Sequence, residues 1–199
     1  MVGCDRWRMQ RSFLIAAPLA AVIVCVPLTV RAESIETGGS QVGAATVIEI
    51  WKHNRLMELR QGGGTVRRFH VALGYSPEFN KRIQGDARTP VGHYRVCEKR
   101  EETQFHRWLG INYPNLDDAE RGYVERMISA NEWVDIFLTN LRGGMPTAST
   151  ALGGRLGIHG LGGRRRSGDW THGCIAVSDE EIEFLYAHVP VGTVVIINE

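Results

Sequence analysis

Residues 157–177 read Gly-Ile-His-Gly-Leu-Gly-Gly-Arg-Arg-Arg-Ser-Gly-Asp-Trp-Thr-His-Gly-Cys-Ile-Ala-Val. Residues 155–159 have the pattern of a short strand, and residues 174–177 that of a second, buried one. The Gly/Arg-rich run between them is a loop. A histidine therefore ends one strand and a cysteine starts the next. If the strands are neighbours, the imidazole meets the thiol. A nucleophilic cysteine needs a base to make thiolate and donors to hold the developing oxyanion. His159 is the candidate base and Cys174 the candidate nucleophile. Gly173 leaves room for a substrate backbone beside Cys174, and its N–H is a candidate oxyanion donor. Two readings compete with this chemistry. His159 and Cys174 could be unrelated core residues. His159, His172 and Cys174 could instead bind zinc, given a fourth ligand. Structural zinc sites close with four ligands in paired short spacings. The spacing here is irregular, so no metal is expected, nor any other cofactor.

The flanking sequence supplies strands and a few helices. Ser178 with Glu181 forms a capping box that opens a helix with Ile182, Leu185, Tyr186 and Val189 on one face. Residues 193–197 (Thr-Val-Val-Ile-Ile) read as the final strand. Upstream, residues 46–51 and 55–59 look like paired strands, and residues 66–73, 93–97 and 107–111 add three more. Two helical patterns follow. One carries Ala119, Tyr123, Val124, Met127 and Ile128, with Asp117 and Glu120 as its capping box. The other carries Trp133, Ile136, Phe137 and Leu141 and stops at Gly143-Gly144. Tyr123, Trp133 and Phe137 are expected in the core, as is Cys97, which shares a strand with Tyr94 and Val96. There is no internal repeat. Strands dominate and helices serve as covers, which makes a β-rich mixed α+β fold.

The whole chain looks bland: 199 residues, 23 Lys+Arg against 22 Asp+Glu, 43% hydrophobic and four Cys. Those values exclude disorder, collagen and a multi-span membrane protein. A net charge of +1 gives no electrostatic footprint for nucleic acid. The first 32 residues belong to a different class. Arg6, Arg8 and Arg11 precede an uncharged stretch from Ser12 to Val30, and Ala32 offers a small residue for cleavage. Residues 1–32 therefore read as a secretory signal peptide. An uncleaved membrane anchor is the alternative, which Pro18 and Pro27 weaken. Residues 33–44 read as a flexible linker and residues 45–199 as the domain. Cleavage removes four arginines, Asp5, Cys4 and Cys25. The remaining 167 residues carry 19 basic and 21 acidic side chains and only Cys97 and Cys174. Either these two pair, or at least one is kept as a thiol, which in an exported protein needs a chemical reason.

Ile158-His159-Gly160, followed by Gly168-Asp169-Trp170-Thr171-His172-Gly173-Cys174-Ile175-Ala176-Val177, resembles the active-site signature of the L,D-transpeptidase (YkuD-type) catalytic domain. The likeness extends upstream to Gly85-Asp86, Arg88-Thr89-Pro90, Gly92 and Tyr94. It also reaches Gly192-Thr193-x-Val195 at the end. It implies an L,D-transpeptidase-like β-sandwich with short helices, exported to the periplasm or cell envelope of a bacterium. Peptidoglycan stem peptides would be its partners, with a peptidoglycan-linked protein as a further one. Nucleic acid would not be a partner, and a membrane only through an uncleaved signal segment. Carried over by position, Cys174 is the nucleophile and His159 the base. The Gly160 carbonyl orients the imidazole. Gly173 and Cys174 N–H groups form the oxyanion hole. Thr171 and His172 match the turn before the cysteine, His172 as a hydrogen-bonding support. Arg88, Arg165 and Trp170 are candidate substrate contacts; Arg164, Arg165 and Arg166 together could receive a carboxylate. Two departures concern the acyl acceptor. Many members carry Arg two residues after the cysteine, where this chain has Ala176, and the loop from His159 to Cys174 is short. Asp169-Trp170-Thr171 with Cys174-Ile175-Ala176-Val177 looks closer to a branch that includes enzymes removing proteins from peptidoglycan by hydrolysis, which leaves an amidase or L,D-carboxypeptidase outcome open. The expected activity is thus a cysteine acyltransferase working through a Cys174 thioester. Its alternatives are a hydrolase of the same family, a non-catalytic wall-binding module, and a thiol-redox or metal protein.

Overall fold

The computed structural model describes residues 45–199. The expected signal peptide, residues 1–32, and the expected linker, residues 33–44, lie outside these residues. Chain order gives β1 (Thr46–Trp51), β2 (Leu56–Gln61), β3 (Gly64–His70), β4 (Gly92–Thr103) and β5 (His106–Ile111). Helices α1 (Leu116–Val124) and α2 (Ala130–Leu141) follow, then β6 (Gly157–His159), β7 (Ile175–Ala176), α3 (Asp179–His188) and β8 (Val194–Asn198). No described helix is long and apolar enough to cross a membrane.

The strand order is β3-β2-β1-β8-β4-β5-β6-β7. β4 joins two halves of this sheet. Its first part, Gly92 to Arg95, pairs with β8, and from Val96 onward it pairs with β5. The segment after β3 then reaches the other end of the order, through bridges Ala72↔Ala176 and Gly74↔Thr171. The sheet thereby wraps one core. Ile48, Ile50, Met57 and Leu59 come from β1 and β2, Tyr94 and Val96 from β4, and Leu109 and Ile111 from β5; Ile158 and Ile175 join them, all fully buried. Alternation with period two puts these residues on one face. Ile182 and Leu185 of α3 close the core from outside. This is the strand-rich mixed fold with short helices that the sequence implied.

The elements near the helices depart from expectation. The cap of α1 is Asn115 paired with Asp118, not Asp117 with Glu120. Asp118 is buried, accepts the Tyr94 hydroxyl at 3.0 Å and binds Arg121 at 3.0 Å. That tertiary network selects one of two adjacent acids. α1 stops at Val124, and Arg126 takes a φ of 60° just beyond it. Met127 and Ile128 lie past the helix end, yet they still pack with Ala119, Ile136 and Leu152 in a second, small core. Tyr123 is not a core residue: it is 48% exposed. Phe137 and Trp133 are half-buried and stack on each other, 5.4 Å between centroids. Leu141 is largely exposed. The α1–α2 pair covers little area, so only Ile136 of α2 is fully enclosed. Cys97 is half-buried, on the strand face opposite Tyr94 and Val96. Burial pushes its thiol up to about 11.

Candidate active site

His159 is the last residue of β6 and lies in parallel register with Ala176 of β7. In-register residues of a parallel pair point to one face. Cys174 lies in the turn, one residue before β7 begins. The His159 and Cys174 side chains line one cavity of about 220 Å³. The structure thus brings together the two residues that the sequence singled out for chemistry.

The imidazole is fixed by its surroundings. His159 Nδ1 lies 2.7 Å from the Gly160 carbonyl oxygen. A carbonyl only accepts, so Nδ1 carries the hydrogen and Nε2 of the neutral ring keeps its lone pair. Phe105 stacks on the ring at 4.5 Å with an interplanar angle of 21°. Trp170 meets it edge-on at 5.6 Å. Burial holds the imidazole below its ordinary value, although the Gly160 hydrogen bond opposes that. Burial also pushes the Cys174 thiol up to about 11, partly offset by the Gly157 backbone N–H and the Lys81 ammonium. At neutral pH the resting pair is a thiol beside a neutral base.

The turn before Cys174 is built by Thr171. Its hydroxyl accepts from the Gly173 N–H at 3.1 Å and donates to the Cys174 carbonyl at 2.6 Å. Gly173 has φ 126°, and a Cβ there would stand 2.7 Å from the Arg88 carbonyl oxygen. Only glycine fits this close approach. Because its N–H is held inside the turn, Gly173 does not have the free donor that the expected oxyanion hole requires. His172 also departs from its expected place. It is exposed and packs edge-on against Tyr75 at 5.7 Å, with no hydrogen bond among the described residues.

The candidate substrate contacts divide. Trp170 is buried and forms a wall of the cavity. Arg88 does not line it; its guanidinium lies 5.6 Å from the Phe79 ring, and only its carbonyl approaches the Cys turn. Arg165 is exposed and also off the cavity, whereas Arg166 lines it, 4.4 Å from the Trp170 ring. Of the three consecutive arginines, only Arg166 lines this cavity. Among the described residues no three His, Cys, Asp or Glu side chains converge as metal ligands.

Three supporting residues were missed in the sequence. Phe105 sits at the β4–β5 turn, too far along the chain for spacing to link it to His159. Asp179 opens α3, and its carboxylate accepts the Leu161, Gly162 and Gly163 N–H groups at 2.6, 2.9 and 2.6 Å. Asp169 accepts the Leu73 N–H at 2.8 Å and pairs with Arg55 at 2.7 Å. At Asp169, which directly follows the Gly-rich run, that position is the available sequence signal for a loop anchor; Asp179 follows Ser178 and carries no such signal.

The model of the L,D-transpeptidase catalytic domain matches residues 45–197. No curated protein matches. Among solved structures, the helical cell shape determining protein Pgp2 from Campylobacter jejuni is 21% identical, with a TM-score of 0.55, over 79% of this chain and 49% of that one. Bd1075 from Bdellovibrio bacteriovorus is 17% identical, with a TM-score of 0.52, over 80% and 49%. An L,D-transpeptidase from Xylanimonas cellulosilytica is 16% identical, with a TM-score of 0.45, over 79% and 62%. This chain spans about half the length of the first two. The fold is shared with Pgp2 and Bd1075, and the family match covers the strands, the His159 segment and the Cys174 turn alike. The chain belongs to the L,D-transpeptidase catalytic domain family.

Proposed function

We propose that this chain is an exported cysteine acyltransferase of the bacterial cell envelope, acting on peptidoglycan stem peptides through a Cys174 thioester. One observation carries the reading: His159 is locked by the Gly160 carbonyl as the Nδ1–H tautomer, in the cavity that it lines together with Cys174. Nε2 of His159 takes the thiol proton as sulfur attacks a peptide carbonyl carbon. The Cys174 N–H, unpaired among the described residues, is placed to hold the oxyanion. The C–N bond then breaks, and His159 returns its proton to the leaving amine. An amine or water takes the acyl group from sulfur and regenerates the thiol. Peptidoglycan as substrate is supported by the family and by the exported character read from residues 1–32.

Hydrolysis through the same thioester is the second reading. Ala176 favours it: a buried methyl stands in register with His159, where many family members carry a guanidinium. Purified sacculi digested with the protein and read by mass spectrometry separate the outcomes. New diaminopimelate–diaminopimelate links mean transpeptidation, shortened stems mean carboxypeptidation, and released lysine-containing fragments mean amidase action. Cys174→Ala should abolish every product, and His159→Ala should slow formation about a thousandfold. Wild-type yields from Cys174→Ala would overturn the mechanism.

A further inference from the structure

We propose that Phe105 is a positioning residue for the base: presented by the β4–β5 turn, its ring sets the plane of the His159 imidazole and keeps water off it. The inference rests on the reading of His159 as the base of Cys174. Phe105 lines the same cavity as Cys174 and lies flat on His159, through which it acts.

Three independent contacts hold the turn in place. Thr103 accepts the Phe105 N–H at 3.1 Å and donates to the His106 carbonyl at 2.9 Å. Glu183 of α3 binds His106 at 2.5 Å and Arg107 at 2.6 Å, tying the turn to the helix. The loop after His159 is also cut to fit it. A Cβ on Gly162 would stand 2.3 Å from the Gln104 carbonyl oxygen, and one on Gly160 would stand 3.0 Å from that of Phe105. Both obstacles are backbone, which cannot swing away. The ring of Phe105 therefore lies flat on the imidazole at 4.5 Å and also meets Trp170 at 5.6 Å. Two aromatics and one carbonyl leave the base a single orientation, with Nε2 free.

Removing the ring should let water reach the imidazole and loosen its plane. A histidine acts as base only when neutral, so reactivity is lost as pH falls through its titration. Burial now holds that titration below the ordinary 6.5. Hydration returns it upward, and the loss then begins at a higher pH. The titratable and charged groups facing the imidazole are Cys174, His172, Tyr75 and Arg166 in the cavity. Asp179 lies behind Gly160, and His106, Arg107 and Glu183 lie on the turn and α3. All of them are left in place by a change at Phe105.

The test is Cys174 alkylation by iodoacetamide across about pH 5 to 9, followed by the mass of the Cys174 peptide. Wild type, His159→Ala, Phe105→Leu and Phe105→Tyr are compared. Leu keeps enough apolar volume to hold the turn, which Ala would hollow, but gives up the flat face and part of the cover over the imidazole. The His159-dependent part of the wild-type rate, taken as the difference from His159→Ala, should rise through a midpoint below 6.5. In Phe105→Leu the midpoint should move toward that value and the plateau fall about fivefold, the size of a lost aromatic pair. Phe105→Tyr should restore both. A Leu variant with the wild-type midpoint and plateau overturns the inference, as does a Tyr variant that behaves like Leu. Equal pH profiles for wild type and His159→Ala would remove the base itself, and the proposed mechanism with it.

Discussion

Gly160 carries two constraints at one position. Its carbonyl accepts the His159 Nδ1–H, and its α-carbon has no room for a side chain. A Cβ there would stand 2.4 Å from Asp179 Oδ1 and 2.9 Å from Ile182 Cγ2. Gly160→Ala should therefore push the carbonyl off the imidazole and strain the loop, lowering stability by about 1–3 kcal/mol. Urea denaturation measures the loss, and the Cys174 alkylation rate should fall with it. Unchanged values in both would mean that the loop relaxes freely. The His–Gly and Gly–Cys pairs were legible in the sequence because each sits within two or three residues of its partner. The failure of Gly173 as a free donor was not. It depends on where the Thr171 hydroxyl turns, and that rotamer is set by the Cys174 carbonyl.

Among the elements, α3 does more than cover the core. Its N-terminal turn presents Asp179 to three backbone N–H groups of the loop that follows His159. Although burial works against the charged form, these donors hold the Asp179 carboxyl below its ordinary 3.8. A carboxylate whose folded value lies below its unfolded one stabilises the fold fully above the unfolded value. That stabilisation is lost as pH falls through the folded value. Asp179→Ala should thus lower the urea midpoint at neutral pH, and the gap to wild type should close below about pH 4. A gap that persists into acid would assign the loss to packing. The Ser178–Glu181 box of this helix was legible, since cap and acid stand three residues apart on the chain, even with Asp179 and Glu180 between them. At α1 two acids stand side by side. The choice of Asp118 followed from Tyr94, a residue of another strand, which no local pattern contains.

At the scale of the molecule, the site exists because the two ends of the strand order meet. The segment after β3 lies against the Cys turn: Leu73 O accepts the Trp170 and Thr171 N–H groups at 3.1 and 3.0 Å, and Tyr75 N donates to Thr171 O at 2.9 Å. Asp169 binds this seam from one side, to the Leu73 N–H and to Arg55 at the β1–β2 turn. Strand content could be read locally, but this closure joins residues nearly a hundred positions apart, and no periodicity records it. The seam should be the first part of the sheet to open when Asp169 is removed. Asp169→Ala leaves the Leu73 N–H and a guanidinium without their partner, at a cost of about 2 kcal/mol. Asp169→Asn keeps an acceptor for Leu73 and gives up only the charge, which should cost about half as much. Hydrogen exchange at Leu73, Tyr75 and Thr171 distinguishes the two variants. In Asp169→Ala these amides should exchange faster while those of β1 and β8 keep their protection, because the β1–β8 pairing does not touch the seam. Equal acceleration at β1 and β8 would mean that the sheet opens as one unit. Asp169 would then hold the whole fold together, not one edge of it.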